Sequence, residues 1–346
     1  MEHRISAAGR LLDKDGGLRE PGWANKLLLS YDRADIKAPA WRIKEWDYYF
    51  IASGDMGLSL TIADNAYMGF VGATVFDFAA RAELSKTLMP LMPMGRLGLP
   101  SDSSGGITEY AKDGVHMRFE ASDGKRRLSV SWPGFGPGEG QGLEGEILLE
   151  ELPPRESMVI ATPFAGAPRA FYYNQKINCQ EASGRWSLGG KETRLEKGKA
   201  FGVLDWGRGV WTWKNTWLWG SASGIAQLEK KDVRFGFNIG YGFGDTSAAS
   251  ENMVFVDGAA HKIGRLSIEL DDGDFLAPWK VRSEDGRLEL VLSPDLDRFS
   301  SSDFLVLASI QHQVFGLWNG SVTLEDGRKV EVKDLRGFCE KVRNRW

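Results

Sequence analysis

The sequence predicts a mainly β protein made of two packed antiparallel barrel-like domains. Three observations carry that expectation: short alternating runs joined by Asp-Gly turns, an excess of glycine and tryptophan, and very little helical periodicity. Residues 115–119 and 127–132 flank Asp123-Gly124, residues 279–282 and 288–292 flank Asp285-Gly286, and residues 322–324 and 330–332 flank Asp326-Gly327. Each reads as a β-hairpin, because Asp-Gly supplies the positive φ that tight hairpin turns need. The 42 glycines and 13 tryptophans favour twisted, curved sheets over helices. No strands alternate with amphipathic helices, which excludes a parallel α/β nucleotide-binding fold.

Helical spacing is confined to two places. At residues 334–346, Leu335, Phe338, Cys339 and Val342 fall on one helical face, predicting a C-terminal helix that closes the second barrel. At residues 76–87, Ala79, Ala80 and Leu84 give a weaker pattern. The Met- and Pro-rich stretch 89–100 and residues 133–142 read as irregular loops. The chain divides near 163–169, giving an N-terminal barrel-like domain over 1–165 and a Trp-rich C-terminal barrel over 166–346.

Composition narrows the partner. The 43 basic and 47 acidic residues are interspersed and the net charge is −4, so nothing draws the chain toward nucleic acid or anionic lipid. A small-molecule ligand or substrate is the expectation. Cys179 and Cys339 have no metal-ligand spacing, and no metal site is expected. No run approaches the ~20 apolar residues of a membrane span, and the N-terminus lacks a signal-peptide core, so a cytoplasmic location is expected. No P-loop, dinucleotide fingerprint or Ser-His-Asp order is present, and no cofactor is expected.

The densest chemistry lies in a tryptophan-rich pair of strands between Asp205 and Tyr241. If 210–220 is one strand, Trp211, Trp213, Asn215, Trp217 and Trp219 share a face. Four indoles can simply fill a core, but an amide among them needs a partner, which a ligand cavity would supply. In the following strand, Phe235, Phe237, Ile239, Tyr241 and Phe243 alternate with Gly236, Asn238, Gly240 and Gly242, so something must lie close over the glycine face. Either the neighbouring indoles or a flat ligand would serve. Asp205-Trp206-Gly207-Arg208-Gly209 reads as a bulge or turn at the mouth of the row. Apolar walls would raise the Asp205 pKa and make it the first candidate acid, unless Arg208 pairs with it. Asn174, Asp245, Glu251 and His312 are further polar candidates, the first on a strand-like run, the next two in a polar loop, the last after an apolar strand.

Several of these segments resemble the bacterial family called domain of unknown function 2804: residues 173–178 (Tyr-Asn-Gln-Lys-Ile-Asn), 201–211, 237–247, His312-Gln313-Val314-Phe315-Gly316 and Val342-Arg343-Asn344-Arg345-Trp346. More distantly, Leu204-Asp205-Trp206-Gly207 followed by a Trp-rich strand is similar to the Asp-His-Glu-Trp-Gly segment of the carotenoid hydratase, tocopherol cyclase and Diels–Alderase-like proteins. The His and Glu of that segment are missing here. That resemblance implies two lipocalin-like (calycin) barrels.

Three functions fit these residues. The leading one is an enzyme of hydratase, isomerase or cyclase type, which moves a proton with Asp205 while the tryptophans hold the substrate. Carbohydrate processing would instead pair Asp205 with Asp245 or Glu251 across an open cleft. A non-catalytic lipocalin-like carrier would need a cavity without inward carboxylates.

Overall fold

The computed structural model describes residues 2–304 and 307–345, and the side chains of 303–307 are left aside. Two large antiparallel sheets, each curled into a half-barrel, hold all but two of the strands. The first runs from edge to edge through strands Ala82–Leu88, Gly69–Asp77, Met56–Asp64, Ile43–Ser53, Ala200–Val210, Ala167–Leu188, Leu143–Glu150, Lys125–Trp132, Val115–Ser122 and Gly106–Lys112. In the second, strands Lys231–Tyr241, Lys214–Leu228, Lys329–Arg345, Leu307–Thr323 and Leu288–Phe304 form the central run. The chain passes from one sheet to the other at residues 211–213, while residues 165–166 form the turn between strands Met158–Phe164 and Ala167–Leu188 of the first sheet. Among the described residues there is no α-helix, and no helix is long and apolar enough to cross a membrane.

The Asp-Gly hairpins form as the sequence indicates: Gly124, Gly286 and Gly327 all take positive φ, at 71°, 70° and 86°. Glu229 and Lys230, both at positive φ, form the two-residue turn that joins strands Lys214–Leu228 and Lys231–Tyr241.

Both expected helices are strands. Residues 334–345 belong to Lys329–Arg345, a central strand paired with Lys214–Leu228 on one side and Leu307–Thr323 on the other; Trp346 lies outside the described residues. The strand is buried on both faces: Phe338 joins the core between the sheets, while Leu335 and Cys339 join the core of the second sheet. Two-sided burial fills apolar positions at spacings of three and four, which imitates a helix. Residues 76–87 form a hairpin whose turn is held by the Ala80 amide donating to Asp77 Oδ1 at 2.9 Å.

The faces that meet between the sheets are aromatic. Phe50 lies 5.2 Å from Phe315 and 5.6 Å from Phe338, and Phe76 lies 4.4 Å from Phe315, all ring to ring. These contacts fix the two sheets against each other and leave a cleft beyond them.

Candidate active site

Register places the cleft residues. Across the first sheet, one row runs Lys176, Asp205, Tyr48, Thr61, Gly72, Thr87, each directly opposite the next on a neighbouring strand. Directly opposed residues share a face, so the row is a single surface. Across the second sheet, the matching row runs Gly240, Trp219, Glu340, Gln313, Arg298. The cleft between them has two lobes, of about 250 Å³ and about 190 Å³, that share Thr61, Phe70, Asp205, Trp219, Gln311 and Glu340. The larger is walled by Trp46, Trp211, Trp217, Phe243 and Val342. Tyr48 and Trp219 meet edge to face at 6.1 Å.

Asp205 lies within strand Ala200–Val210, not in a bulge or turn. Alternation then sends Asp205 and Gly207 to the cleft and Trp206 and Arg208 to the far side. Gly207 is required: any Cβ there would collide with the Trp46 indole, which lies over it and walls the larger lobe. Arg208 does not pair with Asp205. It is fully buried on the other face, donating to Asp47 Oδ1 at 3.0 Å and to the carbonyls of Trp46 and Pro100, both at 2.8 Å.

The partner of Asp205 is Lys176, with Nζ 2.8 Å from Oδ1. The Asn174 amide donates to the same oxygen at 2.7 Å, and the Lys176 ammonium sits 3.8 Å from the Trp219 ring centroid. Trp219 Nε1 donates to Asn238 Oδ1 at 2.7 Å, and the Asn238 amide reaches the Glu251 carbonyl at 2.9 Å and its Oε2 at 3.4 Å. Glu251 Oε1 has no hydrogen-bond partner among the described residues. Burial pushes the Glu251 carboxyl up to about 7, against the pull of Lys176 and with a further push from Asp205.

Glu340 completes the group. Trp217 Nε1 donates to its Oε1 at 2.8 Å and Gln311 Nε2 to its Oε2 at 2.9 Å. Burial again dominates: the carboxyl is pushed up to about 7 although both donors and Lys176 favour the ionised form. Glu340 therefore lines both lobes as a carboxyl that titrates near neutral pH, with each oxygen already oriented.

Seven of the residues expected from sequence converge here: Asn174, Asp205, Trp211, Trp217, Trp219, Asn238 and Glu251. The others lie elsewhere. The 210–220 stretch is not one strand, because the chain crosses between sheets at 211–213, and Trp213 is left 44% exposed. The Asn215 amide is satisfied locally, donating to the Thr212 carbonyl at 2.7 Å and accepting from its hydroxyl at 2.9 Å. Tyr241 packs against the core of the second sheet. Asp245 is exposed and accepts from the Ser247 amide at 2.9 Å. His312 alternates with Gln311 and Gln313, so it points away from the cleft; its Nδ1 is 2.8 Å from Asp297 and its ring stacks on Phe275 at 3.6 Å. Over the bare face of the Phe/Gly strand lie protein groups, with Cys179 Sγ against Gly236 and Glu251 against Gly240. Lys176, Glu340, Tyr48 and Arg298 were not singled out from the sequence. Cross-strand register, which no local pattern reveals, is what brings them to the cleft.

Two curled antiparallel sheets around an aromatic cleft with buried carboxyls define a two-barrel, lipocalin-like protein. The chain belongs to the family described as Domain of unknown function (DUF2804), whose family model matches residues 2–346. Among solved structures it is similar to kievitone hydratase from Nectria haematococca, with a TM-score of 0.50 and 10% identity over 92% of this chain and 96% of that one. It is also similar to CghA, solved with Sch210972, with a TM-score of 0.52 and 12% identity over 96% of each chain. At such identities the likeness shows the fold. No curated protein matches the sequence.

Proposed function

We propose that this protein is an enzyme that transfers a proton to or from a small organic molecule held in the aromatic cleft, a reaction of hydratase, isomerase or cyclase type. The observation that carries the reading is Glu340, a buried carboxyl pushed up to about 7 where the two lobes of the cleft join. A general acid or base works best when its pKa lies near the working pH, and such a group contributes about 10²–10⁴-fold. In a hydration, Glu340 gives its proton to one carbon of a polarised double bond. Water then adds at the other carbon and returns a proton to the Glu340 carboxylate. Trp217 and Gln311 hold the carboxyl in place during both steps. Asp205 is ion-paired with Lys176 and fits a charge-bearing anchor better than the acid itself. The name of kievitone hydratase, a protein of similar fold, supports the same class of reaction.

Two other readings have less support. Carbohydrate processing calls for Asp245 or Glu251 across the cleft from Asp205, but Asp245 is exposed in a turn and Glu251 is turned onto Asn238. A carrier calls for a cavity without inward carboxyls, whereas Asp205 and Glu340 both line this one.

The test is a screen of planar, ring-bearing molecules with polarised double bonds, read as gain of water or uptake of deuterium from heavy water. Once a substrate is in hand, Glu340→Gln is expected to keep the fold and lose about 10²-fold or more of the turnover. Full turnover by that variant would overturn the role of Glu340.

A further inference from the structure

We infer that the cleft is built for an organic anion, a molecule whose flat apolar ring portion lies against the tryptophans and whose carboxylate, at the other end, pairs with Arg298. The inference rests on the cleft being the reaction site proposed above, and it adds the class of substrate.

The two lobes differ in chemistry. The lobe of about 250 Å³ is walled by indoles, Phe243 and Val342, whereas the lobe of about 190 Å³ is lined by Ser59, Thr74, Thr87, Gln313 and Arg298. Flat ring systems gain most from the first, through stacking and apolar burial. The second presents hydroxyls and amides with Arg298 as its single cation, and it shares with the first lobe the carboxyls of Asp205, which is paired with Lys176, and of Glu340. Arg298 reaches it because it stands in the same cross-strand row as Gln313 and Glu340.

The partners of Arg298 leave it short of a counter-charge. Its Nε is 3.3 Å from Ser85 Oγ and its Nη1 is 3.3 Å from Gln313 Oε1, both long contacts with neutral groups. The nearest carboxylate, Glu83, is 4.0 Å away, beyond hydrogen-bond distance, while the side chain is only 18% exposed. A guanidinium in that state is a ready site for a carboxylate, whose two oxygens match its parallel N–H groups. A neutral hydroxyl-bearing end would leave the charge as it is. Arg298 stands two strands from Glu340, so at ~4.8 Å per strand their Cα atoms are roughly 10 Å apart. Their side chains converge on one Gln313 amide, which accepts from Arg298 Nη1 at 3.3 Å and donates toward Glu340 Oε2 at 3.4 Å, so a carboxylate held by Arg298 lies within the same molecule's reach of the carboxyl that moves the proton.

The test uses a matched pair of probes, 4-(naphthalen-2-yl)butanoate and the corresponding amide, titrated into the full chain and followed by tryptophan fluorescence. The acid is expected to bind about tenfold more tightly than the amide or better. Arg298→Gln should remove that preference and Arg298→Lys should keep part of it, with unchanged circular dichroism in both. Trp217→Leu should weaken both probes by the same factor. Equal affinity for acid and amide, a preference that survives in Arg298→Gln, or failure of both probes to bind would each overturn the inference. Because only binding is read, a fully active Glu340→Gln or a screen without turnover bears on the proposed reaction alone.

Discussion

Lys176 and Asp205 stand directly opposite each other on neighbouring antiparallel strands, Nζ to Oδ1 2.8 Å, with both residues buried. Burying two charges costs more than their attraction returns unless other polar contacts complete the pair. Asn174 and the Trp219 ring supply them. The pair is thus embedded in the wall of the cleft and positions the indole face that closes it.

Removing one member leaves the other charge buried alone. Lys176→Met is therefore expected to lower stability by about 3–5 kcal/mol in urea denaturation, and Lys176→Met with Asp205→Leu to recover most of that loss. Equal losses in the single and double variants would show that the pair is not the coupled unit described.

The tryptophans are expected to separate by position. Trp219→Ala, deleting an indole that is 3% exposed, should cost about 3–5 kcal/mol. Trp217 is half-buried and faces the cleft, so its replacement should cost distinctly less while weakening ligand binding. Trp213→Ala should stay within about 0.5 kcal/mol, as for an ordinary surface position. Asn215→Leu, which deletes two local hydrogen bonds to Thr212, should be destabilising by about 1 kcal/mol and leave binding unchanged. Four equal losses along the row would contradict this division.

Stability should fall as pH rises toward neutrality. Glu251 and Glu340 hold their protons in the folded chain up to about 7, against an ordinary value of 4.5, so between these values the folded state binds more protons than the unfolded one. Their effect is absent below the unfolded value, grows as pH climbs through the window, and is complete above about 7. Glu251→Gln and Glu340→Gln should each flatten the fall, measured by urea denaturation at several pH values from about 5 to about 8. An unchanged slope in both variants would mean that neither carboxyl is raised.

Much of the fold was legible because hairpin turns are local. Asp-Gly pairs and the Phe/Gly alternation at 235–241 depend only on neighbours in sequence and formed as read, whereas the strand stops at Tyr241, and Gly242, at φ 101°, and Phe243 lie beyond it. What was not legible depended on which strands flank which. Residues 334–345 looked helical because a central strand has two apolar faces, and Glu340 drew no notice among them. Lys176 passed unnoticed because a lysine is ordinarily solvated, and its burial follows only from standing opposite Asp205. The crossing at 211–213 carries neither glycine nor proline, so nothing local marks the break in the tryptophan row.

The central claim is that the cleft holds a carboxyl able to give and take a proton near neutral pH beside a bound organic molecule. Its most direct test is a ¹³C NMR titration of glutamate side-chain carboxyls, with Glu340→Gln to assign the signal and the naphthyl acid as ligand. The expected result is a Glu340 resonance that titrates at about 7 and shifts when ligand binds. A Glu340 carboxyl that titrates near 4.5 and does not respond to the ligand would contradict the account.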